Sequence, residues 1–198
     1  MNYRGKKQAI NLPVPGQHNI LNSLASSAAA IHLGFDLSVI AAGLEKMTAV
    51  SGRLMSIPCS ERLLIIDDSY NANPASMKAA LDVLALRTGF KVAVLGEMAE
   101  LGDFSRKLHL ELAKYIANSK VDRVYLIGAY AKEMAELIGS KALAAESKAA
   151  ILESLEQLDH VFDMHEHYNE LVTTSILIKG SRSTAMDELV DMIIKRAH

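Results

Sequence analysis

RLLIIDDSYNANPASM, residues 62–77, decides the fold. Leu63, Leu64, Ile65 and Ile66 form an apolar run too short for a buried helix, and the run stops on Asp67 and Asp68, so it reads as a strand covered on both faces. Asn73 and Pro74 come next, a good N-cap and a good first helical residue, and a helix should begin there. The same alternation recurs downstream. Strands are expected at 62–67, 91–95, 123–127 and 175–179, with weaker ones at 55–58 and 161–162. Helices are expected at 74–87, 105–118, 131–138, 148–158, 168–173 and 184–195, and the whole stretch 142–158 reads as helical. Strand and helix in turn predict an α/β fold, a Rossmann-like doubly wound and mostly parallel sheet.

Upstream the pattern differs. Residues 8–14 read as an extended piece closed by prolines, and Ile20, Leu24, Ala28 and Ile31 have the spacing of a helix that Gly34 would end. A second helix should cover 37–47. Both are rich in Ala and Ser and poor in bulky side chains, so they look like the end of a domain and not a whole one. The chain is therefore expected to divide at 52, into 1–52 and 53–198.

Composition narrows the function. Of 198 residues half are apolar and 22% are charged, the balance of a globular protein. Lys and Arg number 21 against 23 Asp and Glu, a formal charge of -2 that gives no reason to expect a nucleic-acid partner. The basic group Arg4, Lys6 and Lys7 reads as a solvated strand edge. No apolar run approaches the roughly 20 residues of a membrane helix, and no apolar stretch follows the basic N-terminus as in a secretory signal. A single cysteine, Cys59, excludes an internal disulfide and a cysteine-built zinc site, and fits a reducing, cytoplasmic compartment. No histidine or other base lies near Cys59 in sequence, so a nucleophilic role has little support.

In a sheet of this kind ligands collect at the carboxyl ends of the strands. Four loops qualify: 67–74, 96–102, 128–131 and 179–183. Asp67 and Asp68 are adjacent on a strand and point to opposite faces, so one should be structural and the other, Asp68, should meet a ligand as ribose-binding aspartates do. Asn73 could cap the helix instead. Lys179, Gly180, Ser181 and Arg182 emerge from an apolar strand with two cations, a hydroxyl and a glycine, a setting suited to an anion. The loop 96–102 is not a dinucleotide fingerprint, because five residues separate its glycines and two of them are acidic; nicotinamide binding is disfavoured. His165 and His167 are two apart and diverge on either a strand or a helix, so no metal site is expected. His32, on an apolar helix, reads as a packed histidine. G-x-x-x-x-G-K-[ST] occurs nowhere in the 198 residues, so they hold no recognised cradle for ATP phosphates and magnesium.

GQHNILN (16–22), SGR (51–53), DDSYNANPASM (67–77), LGEMAELG (95–102) and KGSRSTAMDE (179–188), in that order, closely resemble the Mur ligases of peptidoglycan synthesis. DSYNANP and KGSR are most similar to the branch that adds D-alanyl-D-alanine. The resemblance implies that residues 1–52 are the tail of the family's central ATPase domain and 53–198 its C-terminal Rossmann-like domain. It implies ATP and Mg2+ as cofactors, with phosphate and metal sites mainly in the central domain. It implies the substrates UDP-N-acetylmuramoyl-tripeptide and D-alanyl-D-alanine, joined through an acyl phosphate, and inactivity of these residues alone. By the same resemblance Asn19 and Asn22 contact adenine, Arg53 the ribose or phosphates, and Asp68 the ribose. Tyr70, Asn71, Asn73, Lys179, Ser181 and Arg182 face the incoming dipeptide and the closing phosphate side, and His18 is structural. No catalytic residue is assigned. Glu97 stands where similar ligases commonly have Asp. The rival expectation is a free-standing α/β binding or interaction module without catalysis.

Overall fold

A computed structural model describes residues 1–14, 16–48, 50–158, 161 and 173–197. The chain forms two compact units, Met1–Val50 and Ser51–His198.

In the first unit β1 (Asn2–Tyr3) and β2 (Lys6–Lys7) make a small antiparallel hairpin. All four strand residues are exposed, a solvated edge as expected. Residues 8–14 belong to no ladder. Helices α1 (Gln17–His32) and α2 (Leu37–Glu45) follow, with Ile40, Ala41 and Leu44 buried on α2. Ser23 and Ser27 are buried on α1, where each hydroxyl donates back to the carbonyl four residues earlier, of Asn19 and Ser23, at 2.7 and 2.6 Å. Ile20, Leu21 and Leu24, by contrast, are about half exposed. His32 is exposed too, which corrects the expectation of a packed histidine.

In the second unit six strands form one sheet in the order β3 (Met55–Pro58), β4 (Leu63–Asp68), β8 (Thr174–Lys179), β5 (Phe90–Leu95), β6 (Arg123–Leu126), β7 (Ala142–Ala144). Only β3, at one edge, runs antiparallel. Along each central strand alternate residues enter opposite cores. Ile66, Ala93, Leu95 and Leu177 meet α3 (Pro74–Ala85), α4 (Ser105–Ala117) and α5 (Ala131–Ile138) on one face. Ile65, Val92, Val94, Ile176 and Ile178 meet α6 (Lys148–Glu156) and α7 (Asp187–Ala197) on the other. Helical spacing builds both covers: Met77, Ala80, Leu81 and Leu84 line the buried side of α3, and Met186, Leu189, Val190 and Ile193 that of the α7 region.

Three local expectations are corrected. Residues 142–144 pair with β6 as strand β7, although their composition is that of a helix; tertiary pairing overrides propensity in so short an edge strand. Val161 lies in a turn and not a strand, while 162 and most of the helix expected at 168–173 fall outside the described residues. The last helix starts at Asp187 and not at 184. Residues Arg182–Thr184 form a 3-10 turn first, and Ala185 takes a left-handed conformation, φ 46°, that separates the two. His165 and His167 lie outside the described residues. Among those described, no cluster of His, Cys, Asp and Glu could hold a metal, and no helix is long and apolar enough to cross a membrane.

Candidate functional site

β8 is the last strand made, yet it lies between β4 and β5. The chain leaves β4 toward α3 on one face and leaves β8 toward α7 on the other, so the connections change sides here, the position at which such sheets bind ligands. The register sets Asp68 opposite Lys179, and Lys179 opposite Leu95 on β5. The loops at 67–74 and 179–182 therefore share one rim.

That rim is tied together by buried charge. Lys179 Nζ lies 2.6 Å from Asp68 Oδ2 and donates to the carbonyl of Asn71 at 2.7 Å. The Lys179 side chain is 3% exposed and that of Asp68 13%. Removing two such charges from water is costly, and only a close pair with further hydrogen bonds offsets it. Of the two cations at this edge, then, Arg182 is the exposed one, its guanidinium 3.0 Å from Asp187. Ser181 is buried, with its hydroxyl 2.9 Å from that of Ser183. Its N–H donates to the carbonyl of Glu97, and that of Gly96 to the carbonyl of Lys179, which lashes the 96–102 loop alongside. Gly180 makes this approach possible: a Cβ there would stand 3.1 Å from Gly96 Cα and 2.4 Å from Thr184 Oγ1.

Asp67 and Asp68 both act on residues 52–54. Gly52 N–H donates to Asp67 Oδ2 at 2.9 Å and Leu54 N–H to Asp68 Oδ1 at 3.0 Å. Asp67 Oδ1 also accepts from the N–H and hydroxyl of Ser69. Between the two clamped amides, Arg53 is exposed, its guanidinium 4.7 Å over the ring of Tyr70, which is 49% exposed. Asn71 is exposed, its side-chain oxygen accepting from Ala72 N–H. Asn73 does cap α3: its Oδ1 accepts from Ser76 N–H at 2.8 Å, and Ser76 Oγ accepts in return from Asn73 N–H at 3.0 Å.

Asn19 and Asn22 lie on α1 of the first unit, three residues apart and so on neighbouring positions of one helix face. Every other expected site residue belongs to the second unit. There Arg53, Tyr70 and Asn71 come together around the Asp68–Lys179 pair.

Three contacts were not foreseen from the sequence. Asp67 is the clamp on Gly52. Glu97 accepts a long bond, 3.4 Å, from Ala129 N–H and packs on Gly128. His109, buried on α4, accepts Met98 N–H at Nε2 (3.0 Å), while Nδ1 lies 2.8 Å from the carbonyl of Ser105. Those partners require the neutral ring with its proton on Nδ1. The only sequence signal was the i, i+4 spacing of Ser105 and His109. Cys59 is buried, which pushes its thiol pKa up and suits an inert packing role.

The family model for the Mur ligase, glutamate ligase domain matches residues 52–182, more than half of the chain and nearly all of the sheet and rim just described. The chain belongs to the Mur ligase family. Its Mur ligase relatives include the UDP-N-acetylmuramoyl-tripeptide--D-alanyl-D-alanine ligase of Escherichia coli, 40% identical over 179 residues, 90% of this chain and 37% of that protein. A crystal structure of MurF from Acinetobacter baumannii superposes with a TM-score of 0.83 at 36% identity, over 94% of this chain and 39% of that one. MurF of Thermotoga maritima, solved in complex with ADP, gives 0.74 at 25% identity, over 93% and 39%. The 198 residues thus span less than two fifths of each of these relatives.

Proposed function

We propose that these residues are the C-terminal portion of an ATP-dependent ligase that adds D-alanyl-D-alanine to UDP-N-acetylmuramoyl-tripeptide. The observation that carries the reading is the rim: pairing of β4 with β8 sets DDSYNANP beside KGSR, the two segments that most resemble the D-alanyl-D-alanine-adding branch. A relative with that activity at 40% identity and a structural neighbour solved with ADP support it.

ATP supplies the activation, its γ-phosphoryl group passing to the substrate carboxylate as ADP leaves, so that the dipeptide amine can displace phosphate and form the amide. The donor set suits a nucleotide. Arg53 offers an exposed fork of donors for phosphate or ribose oxygens. Asp68, at the edge of its pair with Lys179, offers a carboxylate oxygen to a ribose hydroxyl. Asn19 and Asn22, on α1 of the first unit, are assigned to adenine by the family resemblance alone. Tyr70, Asn71 and Arg182 are exposed where the dipeptide would arrive. Lys179, Ser181 and the capping Asn73 hold the loops that present them. Phosphate cradling and Mg2+ belong to a P-loop that the 198 residues do not contain.

The polypeptide alone should therefore bind ADP weakly and release no phosphate from ATP. Isothermal titration and a phosphate-release assay test this; sustained ATP hydrolysis by the purified chain would overturn it. In a whole ligase carrying this segment, Asp68→Ala should weaken ATP binding, and an unchanged apparent affinity would reject the ribose role.

A further inference from the structure

Arg53 is exposed at the middle of residues 52–54, a strap leading into β3, yet the backbone of the strap is closely specified. Gly52 has φ 73° and Leu54 φ 52°, both left-handed, and Leu54 is an apolar, 4% exposed residue that gains nothing locally from that conformation. Something outside the strap imposes it. Gly52 N–H is held by Asp67 Oδ2, Gly52 C=O accepts from Tyr70 N–H at 3.1 Å, and Leu54 N–H is held by Asp68 Oδ1. Adjacent strand carboxylates ordinarily serve opposite faces, but here the strap curls over the end of β4 and takes one from each side.

We infer that Asp67 is a positioning residue: it fixes Gly52 so that Arg53 leaves the strap in the direction of the Tyr70 ring. Asp67 is 3% exposed, and both its oxygens accept hydrogen bonds from within the chain. With two acceptor oxygens it holds Gly52 on one and Ser69 on the other, so the strap and the 69–71 loop are set by a single carboxylate. Asp68 fixes the far side of Arg53 but is shared with Lys179, and so carries the state of β8 as well. Space confirms how little slack exists: a Cβ on Gly52 would stand 2.9 Å from Tyr70 N. The proposal rests on the nucleotide reading above only for what Arg53 is used to hold.

The test uses the 198-residue chain with Asp67→Asn, Ser69→Ala, Gly52→Ala and Arg53→Ala. Asp67→Asn keeps the shape and removes the charge, so the fold should survive. Amide exchange at Gly52 should then quicken by about tenfold, and the ring-current shift of the Arg53 side chain should collapse. Gly52→Ala should release Arg53 in the same way with Asp67 intact. Ser69→Ala, which removes a partner of Asp67 but not the strap bond, should leave the Arg53 shift unchanged. In titrations with ADP, Asp67→Asn and Arg53→Ala should weaken binding alike, and the double variant no more than Arg53→Ala alone, the signature of one acting through the other. Additive losses, or an unchanged Arg53 shift in Asp67→Asn, would overturn the proposal. Should Arg53→Ala leave the ADP response as it was, or should wild type show none, the nucleotide reading fails, and the exchange and ring-shift data alone decide the clamp.

Discussion

Asp68 closes β4 and Lys179 closes β8, and their charged groups meet at 2.6 Å beneath the rim where the loops to α3 and α7 begin. Because the pair is buried, its two members are not worth equal and separable amounts. Removing either one strands the other in a poor solvent. Lys179→Met or Asp68→Asn should each destabilise the second unit by about 3–5 kcal/mol, the range for breaking a buried pair, whereas Asp68→Asn combined with Lys179→Met should recover a large part of the loss. Urea unfolding of the four proteins checks this. Equal, additive losses would mean that the pair contributes no coupling.

Gly180→Ala tests the packing of the rim without touching its charge. The added methyl would meet Thr184 Oγ1 at 2.4 Å, Met186 Cγ at 2.7 Å and Gly96 Cα at 3.1 Å. Overpacking of this kind typically costs about 1–3 kcal/mol. Adding Thr184→Ala removes the nearest of the three atoms and should restore part of the loss. A neutral Gly180→Ala would show that the loops slide past one another freely.

The sheet was legible because its strands announce themselves. Ile65, Ile66, Ile176, Leu177 and Ile178 are apolar on both faces, as buried parallel strands must be, and the capped helix α3 follows the first two. β7 was not, since Ala142, Leu143 and Ala144 favour a helix and become a strand only through pairing with β6. Of the site, alternation on a strand assigns Asp67 and Asp68 to opposite faces, but it does not show that both hold amides of the same segment, which depends on where 52–54 return in space. The burial of Lys179 was equally invisible: a lysine beside a glycine and a serine reads as an open loop until β4 brings Asp68 to it. The capping role of Asn73 was legible, because N-cap chemistry is local and needs only Pro74 and Ser76 nearby.

Tyr115 on α4 donates its hydroxyl to the carboxylate of Asp82 on α3, joining two helices on one face of the sheet. That hydrogen bond, with burial and the carboxylate's charge behind it, pushes the Tyr115 pKa from its usual 10 up to about 12. A phenol whose pKa is higher in the folded state keeps its proton longer there than in the unfolded chain. The contribution is thus complete below pH 10 and is lost as the pH climbs from 10 to 12, the window set by the two values. Stability should fall with pH across that window, and Asp82→Asn should flatten the fall while lowering stability below it. Tyrosinate absorbance supplies a second measurement. At about pH 11, between the two values, Tyr115 should remain protonated in the wild type and be largely ionised in Asp82→Asn, with Tyr115→Phe identifying its share of the signal. If the variant and the wild type titrate identically, Asp82 does not hold the phenol in solution.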